Sequence, residues 1–261
     1  MKKKRVAGLC MSLIGFAYML SLFIFTDTFE KMNDTLCMIL TMISVAFIVI
    51  GLIFLFFKTE EDYIKEEAIK KEEDIKLSKH YKYKPYVTYT LVGINVLAFI
   101  LINLIQGEES ILNFAISKDD FAFHRIMTSM FTHASEAHLL FNMLALLLCG
   151  SRLESLIGNL RYLCVYMISG LCSSLLIGLI SSSPCVGASG AIFGLLGCYL
   201  LLSYKNRNIM KYTYKYDLLP TIIFDLIVTI LIPNISITAH FGGLVVGMIL
   251  YFILCRKIIL K

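Results

Sequence analysis

Charge is scarce in this chain, and tryptophan is missing from it altogether. Only 16% of the 261 residues are charged, 58% are hydrophobic, and none is Trp. The mean hydropathy is +0.77. Soluble domains carry about 25% charged residues, so this composition excludes an ordinary soluble domain and indicates a membrane protein.

Motifs typical of several other kinds of site are also missing. The eight cysteines stand singly, with no C-x-x-C pair, and we interpret them as small hydrophobes instead of a disulfide framework. His133, His138 and His240 are possible metal ligands, but no acidic or cysteine ligand joins them at a reliable spacing and H-E-x-x-H is absent. We therefore expect no metal and no other cofactor.

Long apolar runs predict helices that cross a membrane, and no alternating strand pattern competes with them. The runs 6–25, 36–57 and 86–105 are the longest without interruption. Later runs contain polar residues, which are costly in a bilayer unless they face a bundle interior or a wet cavity. These later runs are 138–149, 162–180, 188–202, 218–232 and 238–255. The predicted fold class is an all-α polytopic membrane protein with eight spans.

Lysine and arginine predict the orientation of these spans, because they concentrate on the cytoplasmic side. They occur before the first span and in 58–85, 150–161, 203–217 and the tail from Arg256. The intervening connections carry only Lys31, Lys118 and Arg125. Both termini are therefore expected in the cytoplasm. The net charge of +5 follows from this topology and does not indicate binding to nucleic acid. A signal peptide fits the start less well, since a second span follows closely and an A-x-A-like end is lacking.

The hydrophilic segment 58–84 divides the chain into parts. It separates a pair of N-terminal spans (1–57) from a core of six spans (85–257), which a short tail (258–261) follows. The segment holds eight basic and eight acidic residues, with Glu four residues before Lys at several places, an order that stabilises helices. We interpret it as a solvated, salt-bridged helical spacer; a regulatory or partner-binding arm is the alternative.

The run "VGASGAIFG" places Ser189 between small residues at the outer end of its predicted span. Gly187 and Gly190 allow a tight backbone turn and the close approach of a substrate or another helix. The first turn of a helix also offers free N–H groups that can stabilise an oxyanion. The run is equally compatible with a surface that serves only helix packing.

The run "AHFGGLVVG" places His240 at the same predicted depth as Ser189. Gly243 and Gly247 share the helical face of His240, so that face can press against a neighbouring helix. Histidine is the usual base that activates a serine nucleophile. A histidine that merely forms a core hydrogen bond is the alternative.

The run "HASEAHLLFN" places His138 and Asn142 four residues apart on one helix face, again at the outer end of a span. Both side chains can donate hydrogen bonds to an oxyanion, although polar contacts between helices would use the same residues. Asp225 is predicted to lie about 12 Å of helix rise below the outer end. That depth is too great for it to orient His240, so we interpret Asp225 as structural; a role in a proton relay is the alternative.

Four motifs in this order resemble the rhomboid intramembrane serine proteases over residues 85–257. In chain order they are "HLLFNM", "ESLIGNLRYL", "GASGAIFG" and "AHFGGLVVG". The resemblance implies a six-helix core with Ser189 as nucleophile and His240 as general base. It further implies that Asn142, His138 and the backbone N–H of Ser189 hold the oxyanion.

The resemblance also implies a function, and this chain differs from the usual pattern of the family at two places. The implied function is hydrolysis of peptide bonds near the outer end of transmembrane segments in membrane-protein substrates within the lipid bilayer. The distribution of Lys and Arg places the active site toward the outer side, and the lysine- and isoleucine-rich composition without Trp indicates a bacterial plasma membrane. The first core loop has His124–Arg125 where the family usually carries Trp-Arg, which puts lipid anchoring of this loop in doubt. The two leading spans lie outside the common core. A relative that binds membrane proteins without cleaving them, and a transporter, are the alternative functions.

Overall fold

A computed structural model describes residues 60–106, 108–231 and 236–260. Regular structure in these ranges is helical, apart from one antiparallel bridge between Ile116 and Cys185. The all-α prediction is therefore confirmed for this part of the chain. The predicted spans 6–25 and 36–57 lie outside the described residues, so the count of eight spans stays a prediction.

The helices are numbered here in chain order. They are α1 Glu60–Ser78, α2 Tyr86–Gln106, α3 Phe123–Thr128, α4 Glu136–Ala145, α5 Ser151–Ile157, α6 Asn159–Ile180, α7 Ser189–Lys205, α8 Leu219–Leu231 and α9 Ile237–Leu250. Short π-helical turns join α4 to α5 at Leu146–Gly150, precede α8 at Thr213–Leu218 and extend α9 at Tyr251–Cys255. Residues Glu66–Lys261 form one compact unit, and every contact discussed below lies within it.

Several of these helices are suited to a bilayer. Within the described residues, Glu136–Ile157, Asn159–Ile180 and Ile237–Cys255 are long and apolar enough to cross a membrane, and Tyr86–Ile102 and Ser189–Lys205 are shorter apolar helices. Large apolar side chains also remain exposed along them, as at Leu148, Leu179 and Phe252. The chain is an integral membrane protein.

Helices α6, α7 and α9 pack against one another at the centre of the bundle. The backbones of α7 and α9 come into contact: a Cβ built on Gly243 would lie 2.0 Å from the carbonyl oxygen of Gly190, and one on Gly247 would lie 1.9 Å from that of Gly194. Only glycine permits such an approach. The proposed packing role of these glycines is therefore confirmed, and it sets the helices that carry Ser189 and His240 side by side.

The fourth predicted span, 138–149, is too short. The helix continues through the π turn and α5 to Ile157, because the polar residues that suggested its end are satisfied inside the protein. Glu154 is fully buried, and its carboxylate accepts hydrogen bonds from the backbone N–H groups of Val87 (2.9 Å) and Thr88 (2.8 Å). These donors lie in the first turn of α2, whose N–H groups lack partners within the helix. Glu154 thus caps α2 from a distant position in the sequence.

The interpretation of 58–84 as a solvated spacer overlooks one buried face of its helix, although most of the described residues of this segment are exposed. The segment is helical, as predicted, and the pair Glu72–Lys76 forms with an N–O distance of 2.6 Å. On the adjacent face of the helix, however, Glu73 and Leu77 are buried, with 4% and 0% of their surface exposed. The equal numbers of positive and negative charges predict a fully solvated helix. Composition cannot show that one face of this helix is covered by the rest of the protein.

Glu73 caps a second membrane-associated helix. Its carboxylate accepts hydrogen bonds from the backbone N–H groups of Tyr212 and Thr213 and from the Thr213 hydroxyl. Both N–H groups lie at the start of the helical stretch that leads into α8, where a negative charge also interacts favourably with the helix dipole. Burial raises the pKa of Glu73, and the hydrogen bonds from Thr213 and Tyr212 oppose this rise.

Glu73→Ala should lower the free energy of unfolding by about 1–2 kcal/mol, the usual cost of losing a helix cap. Thermal unfolding in detergent measures the change. Glu72→Ala is the matched control, because Glu72 is exposed and pairs with Lys76 one helical turn away, and it should leave the melting temperature essentially unchanged. Equal effects of the two variants would contradict the capping role.

The pKa of Glu73 also predicts a dependence on pH. A carboxyl whose pKa is raised on folding binds its proton more tightly in the folded state, so its contribution to stability falls as the pH rises from 4.5, its ordinary pKa, through the raised value. Glu73→Ala should therefore flatten the stability profile over this window.

Candidate functional site

Ser189 is the first residue of α7, and the backbone before it is shaped for close contact. Gly187 has φ +128°, a conformation that favours glycine. A Cβ at Gly187 would also lie 2.8 Å from the Cε1 atom of His138. Gly187 is thus needed both for the turn into α7 and for the approach of the His138 ring.

Two connections hold this turn in place. The backbone N–H of Gly187 donates to the carbonyl of Ser129 (2.8 Å). Ile116 and Cys185 exchange backbone hydrogen bonds of 3.1 and 3.0 Å. The loop that precedes Ser189 is therefore tied to the loop between α2 and α4, which fixes the position of the first turn of α7.

His240 lies in the first turn of α9, against the face of α7 that carries Ser189. Its ring stacks on Phe193, with centroids 4.2 Å apart and an interplanar angle of 14°. Phe193 is four residues after Ser189, so the two share a helix face. The hydroxyl of Ser173 donates to the carbonyl of Ala239 (2.9 Å), which holds the backbone beside His240 against α6.

His138 and Asn142 lie on one face of α4, as their spacing predicts. The helix is capped by Ser135, whose hydroxyl accepts from the backbone N–H of His138 (3.2 Å). Asn142 is buried, and its amide donates to the carbonyl of His138 (2.9 Å). This bond uses one of two amide hydrogens, so the other is available to a ligand.

A further histidine adjoins this group. His133 is buried, with 1% of its surface exposed, and its ring lies edge-on to that of His138 at 5.1 Å. Burial is the main cause that lowers the pKa of His133 to about 4, and repulsion from His138 is a smaller cause in the same direction. His133 is therefore neutral at neutral pH and places no positive charge beside His138.

Sequence reasoning missed several residues that support this group. Phe193 could have been found from its i, i+4 spacing to Ser189, whereas Ser129, Ser173 and Thr229 reach the site from other elements and carry no local signal. The hydroxyl of Thr229 lies 2.6 Å from Nδ1 of His240. It also donates to the main-chain carbonyl of Asp225 (2.7 Å), so Asp225 connects to His240 through its backbone.

The loop between α2 and α4 holds Arg125 in place. Its guanidinium donates to the carbonyl of Ala115 (3.2 Å) and forms an ion pair with Asp120. Phe123, two residues earlier, is 82% exposed. The loop thus presents an aromatic side chain to its surroundings although it lacks tryptophan.

These elements define a helical membrane protein with polar side chains assembled at the ends of three helices, α4, α7 and α9. Comparison with known proteins specifies the family. A model of the Rhomboid domain matches residues 120–257, more than half of the chain, and the chain belongs to the rhomboid family.

Individual relatives agree with this assignment. The chain is similar to "Rhomboid protease GluP" of Bacillus subtilis (32% identical over 171 residues, 63% of this chain and 34% of the relative). It is also similar to "Putative rhomboid protease YdcA" of the same organism (34% identical over 137 residues, 51% of this chain and 68% of the relative). A third relative is "RHOMBOID-like protein 1" of Arabidopsis thaliana (40% identical over 133 residues, 49% of this chain and 34% of the relative). The chain thus spans about a third of the length of the first and third relatives and about two thirds of the second.

Proposed function

We propose that this protein is an intramembrane serine endopeptidase with Ser189 as nucleophile and His240 as general base. The observation that carries the proposal is the stacking of His240 on Phe193, one helical turn from Ser189. It brings a base to the face of α7 that bears the hydroxyl. The names of the bacterial relatives as rhomboid proteases support the same chemistry.

The proposed reaction proceeds by acyl transfer. His240 takes the hydroxyl proton of Ser189 while the oxygen attacks the carbonyl carbon of the scissile bond. The oxyanion is stabilised by Asn142, His138 and the backbone N–H of Ser189, which has no partner within the helix because it begins α7. His240 then gives its proton to the leaving amine, and water hydrolyses the acyl-enzyme.

The position of the site suggests where substrates are cut. Ser189 and His240 both lie in the first turn of a membrane helix, so the scissile bond lies near one end of the substrate's span. A peptide bond in a helix is shielded, and the substrate must unwind locally, which helix-weakening residues favour. Because His138 packs against Gly187 and Ser173 against Gly190, little room remains beside Ser189, and we expect a small residue before the cut.

The distribution of basic residues supports an orientation in which the site opens to the outer side. Arg152 and Asp217 approach to 3.8 Å, and Lys205 donates to the carbonyl of Arg256. These contacts gather basic segments at one end of the bundle, opposite the start of α7. By the positive-inside rule this end, which carries the C-terminus, is cytoplasmic. With the two predicted spans 6–25 and 36–57, the N-terminus is then cytoplasmic too, in a bacterial plasma membrane.

A fusion of alkaline phosphatase after Lys261 should therefore be inactive in a bacterial host, whereas one placed at residue 30, in the first predicted outer connection, should be active. A fusion of a cytoplasm-dependent reporter at the same two positions is the control and should give the opposite pattern. An active phosphatase after Lys261 would contradict this topology.

Reaction with a fluorophosphonate probe tests the function itself, because the probe modifies activated serines. We expect the purified protein to be labelled on the peptide that contains Ser189 and to cleave a model transmembrane substrate after a small residue. A non-catalytic relative or a transporter would give neither result. Mass spectrometry of both products identifies the modified serine and the cut.

A further inference from the structure

The hydroxyl of Thr229 touches two groups at once. Thr229 lies on α8 and is buried, with 3% of its surface exposed. Its Oγ1 atom is 2.7 Å from the carbonyl oxygen of Asp225 and 2.6 Å from Nδ1 of His240. The first distance is typical of a hydrogen bond between two oxygens, and the second is slightly short for one between nitrogen and oxygen.

The single proton of this hydroxyl decides the direction of both bonds. A carbonyl oxygen carries no proton, so the contact with Asp225 forms only if Thr229 donates to it. Thr229 then has no proton left for His240 and must accept the one on Nδ1. Since neutral imidazole carries one N–H, Nε2 is left with a free lone pair.

The orientation of the ring is fixed by two different contacts. Stacking on Phe193 fixes the plane of the His240 ring. The bond to Thr229 fixes its rotation within that plane, with Nδ1 directed to α8. Neither contact alone would set both.

We propose that Thr229 is a positioning residue that holds His240 in the Nδ1–H tautomer and so leaves Nε2 free to take the proton of Ser189. This inference rests on the proposed function of His240 as general base. Thr229 then has the place that a carboxylate has in a Ser-His-Asp triad, where the third residue fixes the tautomer and orientation of the histidine. It does so as a neutral acceptor, which avoids burying a charge in the bundle.

The Asp225 carboxylate is not needed for this role. Asp225 contributes its main-chain carbonyl, which belongs to the helix and persists when the side chain changes. Asp225→Asn should therefore leave turnover within about threefold of the wild type. This variant distinguishes a role of the Asp225 carboxylate from a role of its main-chain carbonyl.

Thr229→Val and Thr229→Ser form a matched pair for the test. Valine keeps the shape but removes the acceptor, and we expect kcat for a transmembrane substrate to fall by about 10-fold or more with KM unchanged. Serine keeps the hydroxyl and its bond to the i−4 carbonyl, and should retain kcat within about threefold. A valine variant with wild-type kcat, or a serine variant as impaired as valine, would overturn the proposal.

Nitrogen NMR of ¹⁵N-histidine-labelled protein gives a readout that needs no activity. His240 signals, assigned by their loss in His240→Gln, should show a protonated Nδ1 and an unprotonated Nε2 in the wild type. Thr229→Val should move the population toward the Nε2–H form. A wild-type Nε2–H tautomer would refute the inference even if Ser189 is labelled by fluorophosphonate. An Nδ1–H tautomer without labelling would instead count against the proposed protease function.

Discussion

We expect Ser189→Ala and His240→Ala each to lower cleavage of a transmembrane substrate by about 10⁴-fold or more, because each removes one member of a pair that acts as a unit. For the same reason, the double variant should be no slower than either single one. Product formation by purified protein in detergent measures the rates, and thermal unfolding checks that each variant is folded.

Ser182→Ala is the matched control for the nucleophile. Ser182 is exposed in the loop just before α7, and its loss should leave the rate unchanged. Asn142→Ala should have an intermediate effect of about 10²-fold, the usual cost of one oxyanion donor. Wild-type cleavage by folded Ser189→Ala would exclude Ser189 as the nucleophile.

Gly247→Ala should reduce turnover by about 10²-fold although Gly247 lies two turns of helix from His240. The added Cβ would meet the carbonyl oxygen of Gly194 at 1.9 Å, and backbone cannot move aside as a flexible side chain can. Helices α7 and α9 must then separate, and a displacement of about 1 Å between reacting groups is enough for such a loss. The melting temperature should also fall, since close packing stabilises helix association in a bilayer.

Gly93→Ala provides the control for this substitution. Gly93 is exposed on α2, and a Cβ built on it has nothing within 4 Å. Its replacement should leave turnover unchanged and stability equal or up to about 1 kcal/mol higher, because alanine favours helix over glycine. Similar losses in both variants would show that the effect is not caused by contact between α7 and α9.

The sequence predicts those features that depend on the bilayer or on the spacing of nearby residues. Apolar runs predict α6, α7 and α9 because a helix satisfies its own backbone in a membrane. The i, i+4 spacing of His138 and Asn142 predicts their common face on α4. The predicted span 138–149 ends too early, because in the sequence Glu154 looks like a residue exposed to water. Its partners, the N–H groups of Val87 and Thr88, lie more than sixty residues away.

The sequence also does not predict that one face of α1 is buried, because the partners of that face again lie far away in the chain. Glu72 and Glu73 are adjacent in sequence and identical in type, yet one forms an exposed pair with Lys76 and the other caps the start of the helix leading into α8. Nothing local distinguishes them. The difference arises from which side of α1 faces the core.

The sequence by itself therefore determined that this is a helical membrane protein and which residues are candidates for chemistry, since hydropathy and i, i+4 spacing are local properties of the chain. Only the tertiary structure decided how these candidates are supported. It brought Phe193 and Thr229 to the ring of His240 and packed Gly243 against Gly190. Contacts of this kind depend on how separate helices dock, and the physical reason lies in side-chain shape and hydrogen-bond geometry across the bundle, which no stretch of sequence contains.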